Sequence, residues 1–553
     1  MMLQKRFIGV VPYVLFILLG GVFFPSAGRD DVHFTFWAAN ALSSFGEITN
    51  YNGERIEQSS SLLHTVILAA IKYITDFNIV DIGVFLSIFF GLVTIYLTGK
   101  VSRFLNQKKI FPQVITATSV PLLYWSFGAL EASLVSATIL FLLIATMKFT
   151  SNISLSNYVL TVVAISLYLL VRPEAVFVLS LFLIIPLVIF FYRHEKFSPF
   201  LVLFITTNIL FIIILLFRYL YFGAFFPQPV EAKIGWAIIQ KINSGGYYFL
   251  TSLGQYPFFI VLALPVVIYM TIKVKETIKN KDLLIVISFL FTYALFVFSA
   301  GGDWMEGARF FVPVIGPSAT IAALIYIPLI GQNRAIRFGV ISNLAVLLYF
   351  TLKFSTGYPI IYYKDYLAAI PNAKEFSFFE TANRVHYRDI PLIIELKAIL
   401  EVMTSKGIQP NIMSMQGGMV PYHVFQTYYG VAKFVDLSGL STRDFTECKI
   451  TENLPKFWGG ISVGYEYFVS HALELQDACG IDVNIIYDLD SKSLERLNII
   501  EASGYTVVYL QTGEIGSNDV LSKGSTVDGT QFIALKQSLA SQLGLEKKVF
   551  SFK

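Results

Sequence analysis

Apolar residues in this chain come in long blocks, separated by short polar stretches. The first block, residues 7–27, reads FIGVVPYVLFILLGGVFFPSA. Ten more are centred near residues 90, 120, 140, 163, 183, 209, 264, 291, 320 and 345. A helix crossing a bilayer needs about 20 mainly apolar residues, so about eleven transmembrane helices are expected. The first block is long for the core of a signal peptide and lacks a small-residue cleavage pattern, so it reads as a retained helix. Near residue 354 the pattern gives way to ordinary mixed composition. Two domains follow: a membrane domain, 1–354, and a soluble domain, 355–553. In the latter, Leu392–Met403 has helical periodicity. Asn411–Met415, Lys433–Leu437, Val483–Tyr487, Tyr505–Leu510 and Gln531–Leu535 read as short strands. A small α/β domain is expected there.

Basic residues fix the expected sidedness. Lys5 and Arg6, the group Lys100, Arg103, Lys108 and Lys109, then Lys148, then Arg193 and Lys196 fall in alternate loops. So do the group Lys273, Lys275, Lys279 and Lys281, and the pair Arg334 and Arg337. Positively charged loops stay in the cytoplasm. Residues 61–74, SLLHTVILAAIKYI, are apolar but short. If they crossed, every later basic loop would move outside, so they are expected to lie in the outer interface. The loop from Gly28 to Asp81 then stays external, with helical pieces near 33–44 and 57–75, and the soluble domain is external too.

Composition agrees with this picture. Of 553 residues, 55% are hydrophobic and only 14% charged, the balance of a polytopic membrane protein. The net charge of +4 is small and dispersed, which argues against a nucleic-acid partner. The two cysteines, Cys448 and Cys479, lie in the soluble domain. They could form a disulfide in an oxidising compartment or stay as buried thiols.

The polar residues expected on the outer face include several candidates for chemistry. Asp30 and Asp31 directly follow the first apolar block. Carboxylates at the mouth of a membrane helix are costly unless they pair, bind or react. One of them could take a proton from an attacking hydroxyl, or hold a divalent cation such as Mg or Ca. The alternative is a cap for a helix starting near Val32. Asp303 and Glu306 sit in a glycine-rich turn that ends in Arg309, where a span opens and an anionic headgroup or phosphate could be met. Arg172 and Glu174 flank a proline between two spans and could pair with each other or touch substrate. Glu131 stands at a helix start, favourable to the dipole. Gln228 and Lys233 lie in another external loop, where Lys233 could neutralise a phosphate. His33 and His64 read as interfacial packing.

The chain has no Walker loop, GxSxG elbow, HExxH helix or CxxC pair. An external membrane site has no ready ATP or nucleotide sugar, so its donor would reach it through the bilayer. Two rival readings are a flippase or transporter of lipid-linked saccharides and an O-antigen-type ligase. A transporter would carry its charges near the midplane, often with repeated halves. The chain shows no internal repeat.

Taken in order, the motifs resemble a known group. Asp30-Asp31 followed by FTFWAANALSSFGEITNYNGERIE is similar to the first-loop signature of bacterial GT-C glycosyltransferases, close to the mycobacterial terminal arabinofuranosyltransferase B type. The similarity continues at Gly128-Ala129-Leu130-Glu131, at Arg172-Pro173-Glu174, and at the run from Arg218 to Gly223. It extends through Phe226-Pro227-Gln228-Pro229 with Lys233, and from Gly301-Gly302-Asp303 to Arg309 and Pro313. The soluble domain adds Gly417 to Tyr422 and Val435 to Leu440. Departures include Gln58 to His64 in place of GYTSPLW, Gln228 in place of Asn, and an inserted Ala308. The resemblance implies a polyprenyl-phosphate sugar donor, often of arabinofuranose, and inverting transfer to a glycan or protein acceptor. It places the reaction on the periplasmic face of a bacterial inner membrane. An Asp of the pair would be the base, and Arg172, Lys233 and Arg309 would meet the phosphate. Trp458, Tyr465 and Tyr467 could stack on sugars, and the soluble domain is expected to orient the acceptor.

Overall fold

The fold is that of a computed structural model. It describes residues 2–24, 31–231, 238–256, 258–303, 305, 307–332, 345, 376, 386–414, 417–436, 440–443, 480–490, 497, 500–516, 526–545 and 547–551. Asp30, Lys233, Glu306, Cys448, Cys479, Trp458, Tyr465 and Tyr467 lie outside these residues, as do the apolar block near 345 and the expected domain boundary.

The chain is mainly helical and multi-pass. Helix α1 (Met2–Phe23) is followed by α2 (Val32–Phe45), α3 (Leu62–Thr75), α4 (Ile79–Phe104), α5 (Ile110–Ala117) and α6 (Val120–Phe127). Next come α7 (Ala132–Ser151), α8 (Leu155–Val171), α9 (Ala175–Tyr192), α10 (Ser198–Phe222) and α11 (Gln228–Glu231). Then follow α12 (Ile238–Gln255), α13 (Phe258–Thr271), α14 (Val274–Lys279), α15 (Lys281–Ala300) and α16 (Val312–Gln332). Among the described residues six segments are long and apolar enough to cross a membrane: α4, α7, α9, α10, α15 and Arg309–Ile330. The blocks near 15, 163 and 264 form shorter apolar helices. The block near 120 is broken into α5 and α6 at Thr118 and Ser119. Pro121 stands in the first turn of α6; without an N–H it cannot continue the ladder from the preceding turn. The helical pieces expected near 33–44 and 57–75 are α2 and α3.

Burial separates the inner helices from the outer ones. The most apolar stretch of α7 is 89% buried, whereas that of α10 is 17% buried. Ile205, Ile209, Ile212, Leu216 and Leu220 of α10 are all exposed, the composition of a surface solvated by lipid tails rather than water. Along α4, Gly83 and Gly91 leave room for Phe36 of α2 and Phe16 of α1, whose rings a Cβ would meet at 2.4 Å. This notch seats α2 directly on the bundle.

The C-terminal α/β region holds α17 (His386–Ser405), α18 (Met419–Tyr428), α19 (Gln537–Leu543) and six strands. These are β1 (Asn411–Ser414), β2 (Lys433–Asp436), β3 (Ile485–Asp490), β4 (Tyr505–Gly516), β5 (Thr526–Lys536) and β6 (Lys548–Ser551). The sheet order is β2-β1-β3-β5-β4-β6. β1 runs parallel to β2 and β3, β5 antiparallel to β3 and β4, and β6 parallel to β4. Met413, Val435, Ile486, Val507 and Phe532 pack together on one face. The five expected strands are present, β4 and β5 longer than anticipated; β6 is too short to stand out by periodicity.

The two regions share one hydrophobic core, which runs from Phe36 and Trp37 in α2 to Leu392 and Phe425 in α17 and α18. The loop after α2 ties them together. Asn52 donates from its side chain to the Phe434 carbonyl (2.8 Å) and accepts from the Phe434 N–H (2.7 Å). It thereby satisfies the open edge of β2 as a further strand would. Tyr51 donates to the Gly417 carbonyl (2.8 Å), and Asn50 to that of Ser441 (2.9 Å).

Candidate active site

Charged side chains from four inter-helix segments line one cavity of about 840 Å³. Each is placed at a helix end. Asp31 precedes α2, Glu131 precedes α7, Arg172 follows α8, Glu174 precedes α9, and Asp303 and Arg309 lie between α15 and α16. Helix ends are where a membrane bundle can hold polar groups without breaking its backbone ladder.

Two buried ion-pair systems dominate. Arg172 donates to Glu131 and to Glu174, both at 2.6 Å. Arg309 donates twice to Asp303, at 2.7 and 3.1 Å. Both guanidinium groups also lie within 5.7 Å of the Phe310 ring centre, close enough for cation–π attraction. Burial pushes the Glu131 carboxyl up, but Arg172, Arg309 and His64 outweigh it and hold Glu131 below the usual carboxylate value. Burial opposes the charge of Arg172, and Glu174 and Glu131 more than restore it. Glu131 and Arg172 stay ionised together. Arg309 also feels the charges of Glu131 and Asp31, so the two ion-pair systems and Asp31 form one electrostatic unit.

Asp31 lines the cavity. It stands at the N-cap position of α2 without a side-chain cap hydrogen bond. The glycine-rich turn has a steric reason. Gly302 has φ +76°, and a Cβ there would meet Tyr248 at 2.4 Å. Gly307 has φ +79° and would meet Trp125 and Tyr124 at 2.9 Å. Trp125 donates to the Gly307 carbonyl (2.8 Å), and the inserted Ala308 takes a left-handed backbone (φ 48°) just before Arg309.

Gln228 is buried, and its N–H donates to the Glu57 carbonyl (3.0 Å). Its neighbours Phe226, Pro229 and Val230 line the cavity, whereas Gln228 does not. His33 packs edge-on against Phe36 at 5.5 Å. His64 is buried, with Nδ1 unpartnered among the described residues.

Three features are not legible in the sequence pattern. Glu57 and Arg218 form a two-pronged buried ion pair at 2.8 and 3.1 Å, which anchors the first loop to the end of α10. Helix α12 covers the cavity, although hydropathy predicts no helix between the blocks near 209 and 264. Lys241, Ser244, Tyr248, Ser252 and Gln255 line the cavity at helical spacing. The opposite face carries Ile239, Ile242 and Leu250, all exposed. That division suits a helix lying in the membrane interface. Lys241 makes no ion pair among the described residues. Leu440 is the third: it brings the soluble domain into the cavity wall. Buried Asp436 holds it there by accepting from the N–H groups of Leu440 (3.0 Å) and Ser441 (2.8 Å).

Among the described residues no group of three or more His, Cys, Asp or Glu side chains gathers to hold a metal ion. Glu131, Glu174 and Asp303 are committed to arginines.

No protein-family model and no curated protein matches the chain. Among solved structures it is similar to ArnT from Cupriavidus metallidurans bound to undecaprenyl phosphate, at 11% identity over 96% of this chain and 98% of that one, with TM-score 0.45. It is also similar to the Archaeoglobus fulgidus oligosaccharyltransferase in complex with Zn and sulfate, at 11% identity over 87% of this chain and 67% of that one, with TM-score 0.50. The second likeness concerns the fold alone, and that fold is the GT-C arrangement expected above.

Proposed function

We propose that this protein is an integral membrane glycosyltransferase that moves a sugar, with arabinofuranose favoured, from a polyprenyl-phosphate donor to a glycan or protein acceptor. The observation that carries this reading is the gathering of Asp31, Glu131, Arg172, Glu174, Asp303 and Arg309 in one cavity roofed by an interfacial helix. Such a cavity offers charged groups to a sugar phosphate and apolar side chains such as Phe177, Phe226 and Phe310 to a lipid tail.

In this reading the acceptor hydroxyl attacks the anomeric carbon. Asp31, or Asp30 beside it, takes the hydroxyl proton as the new glycosidic bond forms. The bond from the anomeric carbon to the phosphate oxygen breaks, and the anomeric centre inverts. The leaving polyprenyl phosphate needs no strong acid. Its charge is met by Lys241 and by the unused donors of Arg309 and Arg172, joined by Lys233. Glu131, Glu174 and Asp303 hold those guanidinium groups rigid. A divalent cation, if used, would have to draw on Asp30 and Asp31. The periplasmic face of a bacterial inner membrane is the location this reading requires.

The test is transfer from synthetic polyprenyl-phosphate sugars by the purified protein. Asp31→Asn is expected to lower kcat by roughly 100-fold or more, with Asp30→Asn assayed beside it. Full turnover by both variants would remove the carboxylate base. EDTA in the same assay decides the cation.

A further inference from the structure

A second cleft, of about 320 Å³, lies on the other side of α2, where the bundle meets the soluble domain. Trp37, Phe45 and Tyr429 line it together with Asn40 and Gln426. Phe45 and Tyr429 stack at 4.9 Å with planes only 11° apart, and Trp37 leans on Tyr429 at 5.6 Å. The Trp37 indole N–H is buried and has no hydrogen-bond partner among the described residues, although the residue is 2% exposed. A buried donor left without a partner costs about 1–3 kcal/mol, a cost that a bound hydrogen-bond acceptor would offset. The side chains fit one ligand chemistry. The C–H faces of a sugar ring pack on the negative faces of aromatic rings, and its hydroxyls match the mixed donors and acceptors of Asn and Gln amides.

We propose that this cleft is a second carbohydrate subsite, which holds a distal part of a glycan acceptor while its end reaches the cavity. The inference rests on the glycosyl-transfer reading of that cavity. Helix α2 connects the two places: Asp31, Phe34 and Thr35 line the cavity, and Trp37 and Asn40 line the cleft. Asp31 and Asn40 are about 14 Å apart along the helix axis, and a glycan that joins the two places also passes round a helix about 10 Å across, so the acceptor spans several sugar residues.

The test titrates the purified full chain in detergent with a short linear arabino-oligosaccharide and, separately, a short linear manno-oligosaccharide, followed by calorimetry. At least one is expected to bind. Asn40→Ala combined with Gln426→Ala should weaken that binding about five-fold or more, and so should Trp37→Phe, which keeps an aromatic ring and removes the N–H together with the five-membered ring of the indole. Unchanged affinity in the double variant overturns the subsite, as does absence of binding of both sugars to the wild-type protein. If Trp37→Phe loses its thermal transition, the double variant alone decides. Asp31→Asn should stop transfer and leave oligosaccharide binding in place, so failure of the subsite and failure of the transfer reading are read separately.

Discussion

At the residue scale, the cavity is defined by which charges are already satisfied. Arg172 and Arg309 were expected to face a phosphate, and each is held first by carboxylates of the chain itself. Breaking one member of such a buried pair leaves an uncompensated charge, at about 3–5 kcal/mol. Conservative changes at these sites therefore test folding as much as function. His64 offers a cleaner measurement. Burial lowers its pKa to about 4, against the opposing pull of Glu131, so it is neutral in the folded protein near pH 7. The unfolded chain takes up its proton near pH 6.5. Stability is therefore complete above that value and is lost as pH falls from 6.5 towards 4, by up to about 3 kcal/mol. Melting temperature across this window is expected to fall in the wild type and to stay flatter in His64→Leu. Parallel curves for the two proteins would show that His64 is not the group that titrates.

At the element scale, α12 carries the most specific consequence. Its polar face lines the cavity and its apolar face is turned outward. Hydropathy misses the helix because it is too polar for a span and reads as external loop, although the repeat of Lys241, Ser244, Tyr248, Ser252 and Gln255 is present in the sequence. Lys241→Gln keeps length and helix propensity but removes the charge. KM for the polyprenyl-phosphate donor is expected to rise about ten-fold, equivalent to about 1.4 kcal/mol. The melting temperature should hardly move, since a half-exposed surface residue contributes little to stability. An unaltered donor KM would exclude Lys241 from phosphate binding. Among the other elements, strong hydropathy and the turn motifs make most spans legible, and they single out Asp31, Glu131, Arg172, Glu174, Asp303 and Arg309 without any geometry. Hydropathy averages over a window and so misses the break at Thr118. It also carries no partner information, so the pairing of Glu57 with Arg218 could not be read from residues so far apart in the chain.

At the scale of the whole molecule, the C-terminal α/β region contributes Leu440 to the cavity wall and is not an appendage. One apolar core crosses from α2 into α17 and α18, so deleting the domain would expose that core and test stability instead of acceptor choice. Its docking can be loosened more gently at Asn52, whose side-chain amide exchanges two hydrogen bonds with the edge of β2. Asn52→Ala leaves the Phe434 N–H and carbonyl without these partners, at a cost of about 1–3 kcal/mol. Strand β2 ends at Asp436, and Asp436 holds Leu440 against the cavity. Slack at Phe434 is thus transmitted within a few residues to Leu440 in the cavity wall. The expected result is faster amide exchange at Phe434 and a several-fold higher KM for the acceptor, while KM for the lipid-linked donor stays near the wild-type value. A change confined to the donor would instead place the soluble domain on the donor side of the reaction.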